Sequence, residues 1–225
     1  MAEAKNSGAR VSGEPAAGRE LRPQGRRTRK RLLDAATVVL SDKGFHATRV
    51  DDIVRRARTS HGTFYLYFAN KEDLFRALAV QCGEEMTALA AELGPIGAGP
   101  EGIEELRSWL ERFLAAYRRY GPVIRRWMED QAIDRSLRRL GRRAFADITG
   151  SLVQRLAEGR AAHAANPELA AAALLAMIER SAYFVTSRDL KLDDGVLLTT
   201  LATVIHRGFF ADVTRRRPAR ARSST

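Results

Sequence analysis

Ten residues near the N-terminus, TSHGTFYLYF at positions 59–68, contain the side chains with the most chemical capability in this chain. Hydroxyl, imidazole and phenol groups stand here beside a glycine, and each of them can donate a hydrogen bond. His61 could act as a general base, but no nucleophile or partner carboxylate is arranged around it in the sequence. The alternatives are a buried aromatic cluster and a surface that contacts another molecule.

Charge is distributed unevenly along the chain, which indicates what such a surface would meet. Residues 1–76 carry 16 Lys/Arg and 9 Asp/Glu, whereas residues 77–214 carry 17 and 18. Positions 215–225 add five arginines and no acidic residue, and the formal net charge of the chain is +11. A basic head on a neutral body predicts binding to a polyanion, either nucleic acid or an anionic membrane surface.

Several other kinds of protein are disfavoured by the composition. The single cysteine, Cys82, allows no intramolecular disulfide, which fits a cytoplasmic protein and leaves a redox role open. Residues 1–25 have no apolar core and predict no secretory signal, and the apolar run at 169–178 is too short for a membrane span. The histidines show no metal-ligand spacing; they stand at positions 46, 61, 163 and 206. We therefore expect no metal, no cofactor, no membrane partner and no enzymatic activity.

The hydrophobic pattern predicts an all-α protein. Apolar residues on one face predict a first helix from Thr28, which ends in a left-handed turn at Gly44. Thr48 and Ser60 are candidate N-caps of two short helices, and Asn70 of a fourth helix. After a break at GPIGAGPEG, the expected junction between two regions, the pattern predicts further helices at 104–120, 122–131, 135–158, 167–187 and 194–213.

A short helix, a tight turn and a second short helix make a helix-turn-helix, whose second helix enters the major groove of DNA. Phe64 and Phe68 are four residues apart and are expected to bury against the neighbouring helices. Gly62 has no side chain to hold the backbone away from DNA, and the helix that Ser60 caps presents free N–H groups to a phosphate. Lys71, in the next helix, can reach a flanking phosphate.

The same residues resemble the tetracycline-repressor-like (TetR) family of bacterial transcription regulators. The resemblance rests on the ordered patterns G-F-x-x-T-x-x-x-D-I, S-x-G-T-x-Y-x-Y-F and N-K-E-x-L within residues 28–80, about a quarter of the chain. Arg58 departs from the family, which usually has Gly, Asn or Asp in this turn. Either the turn differs here, or an unfavourable left-handed conformation is tolerated for a phosphate contact. With Arg58 added, the implied DNA-binding residues are Thr48, Arg58, Ser60, His61, Gly62, Thr63, Tyr65, Tyr67 and Lys71.

The resemblance also implies a ligand cavity and a dimer interface among the later helices. The candidate cavity residues are Trp109, Phe113, Tyr117, Trp127, Gln131, Met177, Arg180 and Tyr183, with ordinary core packing as the alternative. The family dimerises through its last two helices, at 167–187 and 194–213 here. The candidate interface residues are Leu197, Leu201, Val204, Ile205 and Phe209, with packing inside one chain as the alternative.

The sequence therefore predicts a homodimeric repressor that leaves a palindromic DNA operator when a small hydrophobic effector binds. An activator, or a regulator without a small-molecule ligand, is the alternative within the family. A membrane-surface protein and a small all-α enzyme are the alternatives outside it, and neither accounts for the helix-turn-helix. The predicted parts are a disordered basic arm at 1–25, a DNA-binding domain at 26–72, a helical ligand-binding and dimerisation domain at 73–214 and a basic tail at 215–225. Arginines of the arm could enter an adjacent minor groove.

Overall fold

A computed structural model describes residues 22–129, 135–158, 166–187 and 193–211 of the chain. Within these ranges every regular element is helical, which confirms the all-α prediction. The tail at 215–225, Gln131 and most of the predicted arm lie outside the described residues. The helices are α1 (Pro23–Ala47), α2 (Val50–Arg56), α3 (His61–Tyr67), α4 (Lys71–Ala91), α5 (Pro100–Glu129), α6 (Arg135–Glu158), α7 (Pro167–Ser187) and α8 (Asp194–Ile205), and a π-helical turn (His206–Phe210) continues α8.

The chain divides into two compact units, and the division falls inside α4. The first unit ends at Val80 and the second begins at Gln81. The glycine-rich stretch 94–102, which the sequence indicated as a junction, therefore lies within the second unit.

The first helix begins earlier than its apolar pattern predicts. Pro23 occupies the first turn of α1, where its fixed φ suits a helix and its missing N–H costs nothing. Residues 23–25, predicted as part of the arm, are consequently helical. Near the other end Gly44 has φ 73° and ψ 169°, a conformation that favours glycine and that kinks the chain before the next turn.

The start of α2 corrects the predicted N-cap. The cap residue is Arg49, whose N–H donates to Asp52 Oδ2 at 3.1 Å. Thr48 instead has a side chain 1% exposed, and its hydroxyl donates to the Gly44 carbonyl at 2.6 Å. The helix begins one residue late because that hydroxyl is already used by the preceding turn.

In the second unit, α5 contains a residue that was expected to divide it. Pro122 lies inside this single helix of 30 residues, although proline removes one backbone hydrogen bond and crowds the carbonyl four residues earlier. Apolar contacts on both sides explain its tolerance, since Tyr120 is 0% and Val123 is 1% exposed. The prediction of a new helix at Gly121–Pro122 is therefore wrong.

Helix α7 packs against α5 and α6 but leaves one apolar face uncovered. Among the described helices it is the one long and apolar enough to cross a membrane by length and composition, over Pro167–Thr186. Only 28% of that window is buried within the chain. Leu169 and Phe184 are exposed, so α7 has both a core face and a face open to a partner.

Helix α8 is held against α5 by apolar contacts and by one ion pair. Arg118 donates to both carboxylate oxygens of Asp194 at 2.7 and 2.8 Å, and this pairing lowers the pKa of Asp194. Ile205, predicted at a dimer interface, is 0% exposed and belongs to the core of its own chain. That position is corrected, because a side chain with no accessible surface has nothing to offer a second copy.

Candidate nucleic-acid interface and ligand cavity

The first candidate site is the exposed side of α3. Its N-cap is Ser60, whose Oγ accepts a hydrogen bond from the Thr63 N–H at 3.1 Å, as the sequence predicted. Phe64 is 0% and Phe68 is 2% exposed, which confirms that these two rings anchor the helix. The short helix is thus fixed from inside, and its other face is available.

The residues on that face are those that could contact a nucleic acid. His61, Gly62 and Tyr65 are exposed, and Thr63 and Tyr67 are partly buried beside them. His61 Nε2 lies 2.7 Å from Asp51 Oδ1 of α2, so the imidazole also connects the two short helices. The structure therefore brings together the predicted set Ser60, His61, Gly62, Thr63, Tyr65 and Tyr67.

One exposed apolar residue on α3 was missed by the sequence reasoning. Leu66 is 61% exposed, more than the neighbouring Tyr65 at 50%. The spacing of Leu66 indicates its exposure. It stands two residues from each of the two buried phenylalanines, so its side chain lies on the other side of the helix. An exposed leucine beside polar groups can make apolar contact with a thymine methyl group.

The turn between α2 and α3 has the strain that the sequence raised as a possibility. Arg58 has φ 51°, and it is the one non-glycine residue with a positive φ in the described part of the chain. The Arg58 N–H donates to the Arg55 carbonyl and the Thr59 N–H to the Val54 carbonyl. These two bonds form a Schellman motif, which places Arg58 where glycine is usual. Its side chain is exposed.

Two of the predicted DNA-contacting residues are engaged inside the first unit. Thr48 has almost no exposed surface, so its side chain cannot reach DNA in this conformation. Lys71 Nζ donates to the carbonyls of Phe45 and Thr48 at 2.8 and 2.9 Å and lies 4.3 Å from the Phe45 ring centroid. Two of its three ammonium protons therefore hold the turn after α1 in place.

The second candidate site is a cavity of about 1410 Å³ within the second unit, between α4, α5, α6 and α7. Its lining is apolar inside and basic at the exposed residues. The lining residues are Cys82, Met86, Phe113, Tyr117, Ile124, Arg138, Gly141, Arg142, Ala144, Phe145, Ile148, Ala172, Leu175, Ala176, Met177, Glu179 and Arg180.

Half of the predicted cavity residues lie in this lining, namely Phe113, Tyr117, Met177 and Arg180. Trp109 does not: it is 4% exposed, its indole N–H donates to the Leu89 carbonyl at 2.8 Å, and its ring stacks on Phe113. Tyr183 is also outside the lining, with its ring under the Arg180 guanidinium at 4.9 Å. The side chain of Trp127, like Gln131, is outside the described residues.

The main omission of the sequence reasoning was α6. Arg138, Arg142 and Phe145 all line the cavity and stand at i, i+4 and i+7, which is one helix face. An exposed basic stripe that ends in an aromatic residue was the available signal. Arginines on a helix are usually solvated, so this spacing by itself does not indicate a cavity.

Burial affects the protonation of two groups in the cavity lining, Tyr117 and Cys82. The Tyr117 hydroxyl donates to Glu179 Oε1 at 2.9 Å, and burial, followed by this hydrogen bond, raises the pKa of Tyr117. Burial likewise raises the pKa of the Cys82 thiol to about 12. A thiol that remains protonated at neutral pH is a poor nucleophile, which argues against a redox role for Cys82.

Comparison with known proteins matches the first unit to a family. The family described as "Bacterial regulatory proteins, tetR family" matches residues 32–78. The HTH-type transcriptional regulator YvdT of Bacillus subtilis is 46% identical over 50 residues, which are 22% of this chain and 26% of that protein. UidR of Escherichia coli is 34% identical over 88 residues, 39% of this chain and 42% of UidR. The chain thus aligns with less than half the length of these curated relatives.

Solved structures extend the likeness to the helical body. A TetR-like regulator from Rhodococcus sp. RHA1 has a TM-score of 0.57 at 28% identity, over 84% of this chain and 100% of that one. FadR from Bacillus subtilis, described in complex with stearoyl-CoA, has a TM-score of 0.61 at 21% identity, over 80% and 98%. The fold of this chain is that of these solved transcriptional regulators. Residues 32–78 of this chain thus match the TetR family of bacterial regulatory proteins, and the overall fold is that of solved TetR-like regulators.

Proposed function

We propose that this protein is a sequence-specific DNA-binding regulator that represses transcription as a homodimer and is released from a palindromic operator by a small effector. The observation that carries the proposal is the exposed face of α3 at Ser60–Tyr67, held in place by Phe64 from the inside. Polar groups on a rigid short helix, within a basic unit, are suited to the major groove.

Gly62 supports a close approach of DNA to this helix. A Cβ added there would meet nothing nearer than Ser60 Oγ at 3.8 Å, which is ordinary contact. The fold itself therefore does not require glycine at this position. Gly62 lies in the first turn of α3, where the missing side chain would let a phosphate group of DNA contact the backbone.

Dimerisation is supported by the apolar side chains that α7 and α8 leave uncovered. Leu169, Phe184, Val196 and Val204 are exposed by 69, 39, 62 and 51%. Burying these side chains against a second copy is favourable because it removes apolar surface from water. Among the interface residues predicted from the sequence, Val204 is exposed and Leu197, Leu201 and Phe209 are partly exposed, so these four stay candidates.

The cavity supports the effector, and α4 supports its coupling to DNA. Helix α4 is continuous from Lys71 to Ala91, and its residues Cys82 and Met86 line the cavity. A ligand that favours a different position of α4 would shift the DNA-binding unit through the same helix. A coupling of about 1–3 kcal/mol is enough to regulate binding. FadR, whose structure is described with stearoyl-CoA, shows that a protein of this fold can hold an organic ligand.

Selection of bound sequences from a random pool of duplex DNA tests the proposed function. We expect enrichment of a palindrome whose half-sites are separated by about 34–36 Å along the helix. No enrichment, or binding to anionic liposomes in place of DNA, would contradict the proposal.

A graded pair of variants tests the α3 face: Tyr65→Phe removes only a hydroxyl, and Tyr65→Ala removes the ring. Both should leave the melting temperature near that of the parent and weaken operator binding, the alanine variant more.

A further inference from the structure

The cavity of the second unit is apolar on its buried side and basic on its exposed side. Phe113, Leu175 and Met86 are each at most 9% exposed and form an apolar floor. Arg138, Arg142 and Arg180 are exposed members of the same lining. A ligand that fills this space therefore meets hydrocarbon at one end and guanidinium groups at the other.

The basic side of the cavity is electrostatically unusual. The first three turns of α6 carry five arginines, at 135, 138, 139, 142 and 143, and the next acidic residue is Asp147. Like charges at i and i+4 repel, and the N-terminal end of a helix dipole is itself positive. Arg142 makes no ion pair within the described part of the chain. An anion at this point would relieve that repulsion.

The one carboxylate of the lining does not reverse this preference. Glu179 accepts the hydrogen bond of the fully buried Tyr117 hydroxyl, and its Oε2 lies 3.8 Å from Arg180 Nε. Its charge is thus already compensated by groups of the protein. Because Arg180 and Glu179 offset one another, the formal charge of the lining is positive through Arg138 and Arg142.

The size and one exposed aromatic ring indicate the rest of the ligand. A volume of about 1410 Å³ exceeds the ~300–1,000 Å³ of most small-molecule pockets, so a long ligand fits. Phe145 is 50% exposed, belongs to the same lining and stands three residues after Arg142 on α6. An alkyl chain that passes it would remove this ring from water.

We propose that the cavity binds a single-chain amphiphile with an anionic head, whose alkyl tail lies among Phe113, Leu175 and Met86 and whose head lies between Arg138 and Arg142. This deepens the proposed function and rests on it for the identification of the cavity as the effector site. The head is a carboxylate or a phosphate, since guanidinium groups bind both in the same bidentate way.

Binding of four ligands with the same alkyl chain, each kept below its micelle and solubility limits, tests the charge of the head. Laurate has a carboxylate, lauroyl-CoA has phosphates, dodecylamine is a cation and dodecanol is neutral. Calorimetric titration of the full-length protein should show one or both anions binding at least ~tenfold more tightly than the other two. The ratio of laurate to lauroyl-CoA affinity identifies the head. Each added pair of methylene groups should tighten binding by roughly tenfold.

Two double variants with the same loss of charge locate the site. Arg138→Gln with Arg142→Gln changes the lining, whereas Arg139→Gln with Arg143→Gln changes the adjacent positions that do not line the cavity. The first pair should weaken binding of the anion by ~tenfold or more and bring it near that of dodecanol, and the second should not. Equal losses in both pairs, or equal or tighter binding of dodecylamine, would overturn the proposal. Selection of bound DNA is carried out without ligand. Its failure would contradict the proposed regulator, whereas the ligand titrations alone decide the proposed amphiphile.

Discussion

Arg58 has a backbone conformation that is unfavourable for a residue with a side chain. Its φ of 51° lies in a region that disfavours side chains with a Cβ, and the Schellman hydrogen bonds fix it there. Asn tolerates this conformation better than Arg. We predict that Arg58→Asn raises the free energy of unfolding by roughly 1 kcal/mol, measured by urea denaturation without DNA.

The same substitution should weaken DNA binding, because the exposed guanidinium is removed. We expect a lower operator affinity and a salt dependence whose slope decreases by about 1. Arg55→Asn is the matched control, since Arg55 is exposed and lies in the last turn of α2. That control should lose a few tenths of a kcal/mol from the lower helix propensity of Asn. If the two variants were equally stable, the φ of Arg58 would not be a source of strain.

Lys71 has a structural role that the sequence pattern did not reveal. Its ammonium donates to two backbone carbonyls, those of Phe45 and Thr48, and lies over the Phe45 ring. Hydrogen bonds that involve a charged group contribute about 1.5–3 kcal/mol each, less where water can replace them. We predict that Lys71→Met lowers the free energy of unfolding by about 1–3 kcal/mol in chemical denaturation.

Lys30→Met is the comparison for that variant, because Lys30 pairs with Asp34 on the exposed side of α1. A solvated i, i+4 pair of this kind contributes little, so the control should remain close to the parent in stability. A Lys71→Met protein as stable as the control, with a salt slope of DNA binding reduced by about 1, would show that Lys71 serves DNA and not the fold.

At the scale of the helix, α5 depends on tertiary packing at Pro122, the residue least compatible with a helix interior. Pro122 costs the helix a hydrogen bond to the Arg118 carbonyl and crowds that carbonyl. We predict that Pro122→Ala stabilises the protein by about 1–2 kcal/mol, after allowance for the greater freedom of the unfolded chain. Pro100→Ala, at the first position of the same helix, should give no gain because proline is tolerated there. A Pro122→Ala protein less stable than the parent would mean that the kink itself is required for packing, for instance to place Ile124 in the cavity lining.

Pro122 also shows where prediction from the sequence succeeded and where it could not. Helices α3, α4 and α7 begin where capping and proline signals placed them, because those signals are local. Helix α5 was divided incorrectly because only contacts with other helices keep it continuous through a proline. The α3 face was predictable from residue types within ten positions. The cavity was only half predictable: the spacing of Arg142 and Phe145 places them on one face of α6, but it does not specify that this face packs beside a cavity.

At the scale of the whole molecule, the proposed mechanism requires two copies of the chain. The exposed apolar side chains of α7 and α8 should supply the interface, among them Val204 in the last turn of α8. We predict that Val204→Glu, which places a charge where apolar surface must be buried, shifts the protein from dimer to monomer in analytical ultracentrifugation. Because Val204 is 51% exposed in the single chain, the variant should keep its helical fold and melting transition. It should also lose operator affinity, since each chain alone reaches one half-site.

Ala115→Glu is the control, because it adds the same charge to an exposed position of α5 and should remain dimeric. A Val204→Glu protein with the dimer affinity of the parent would place the interface elsewhere.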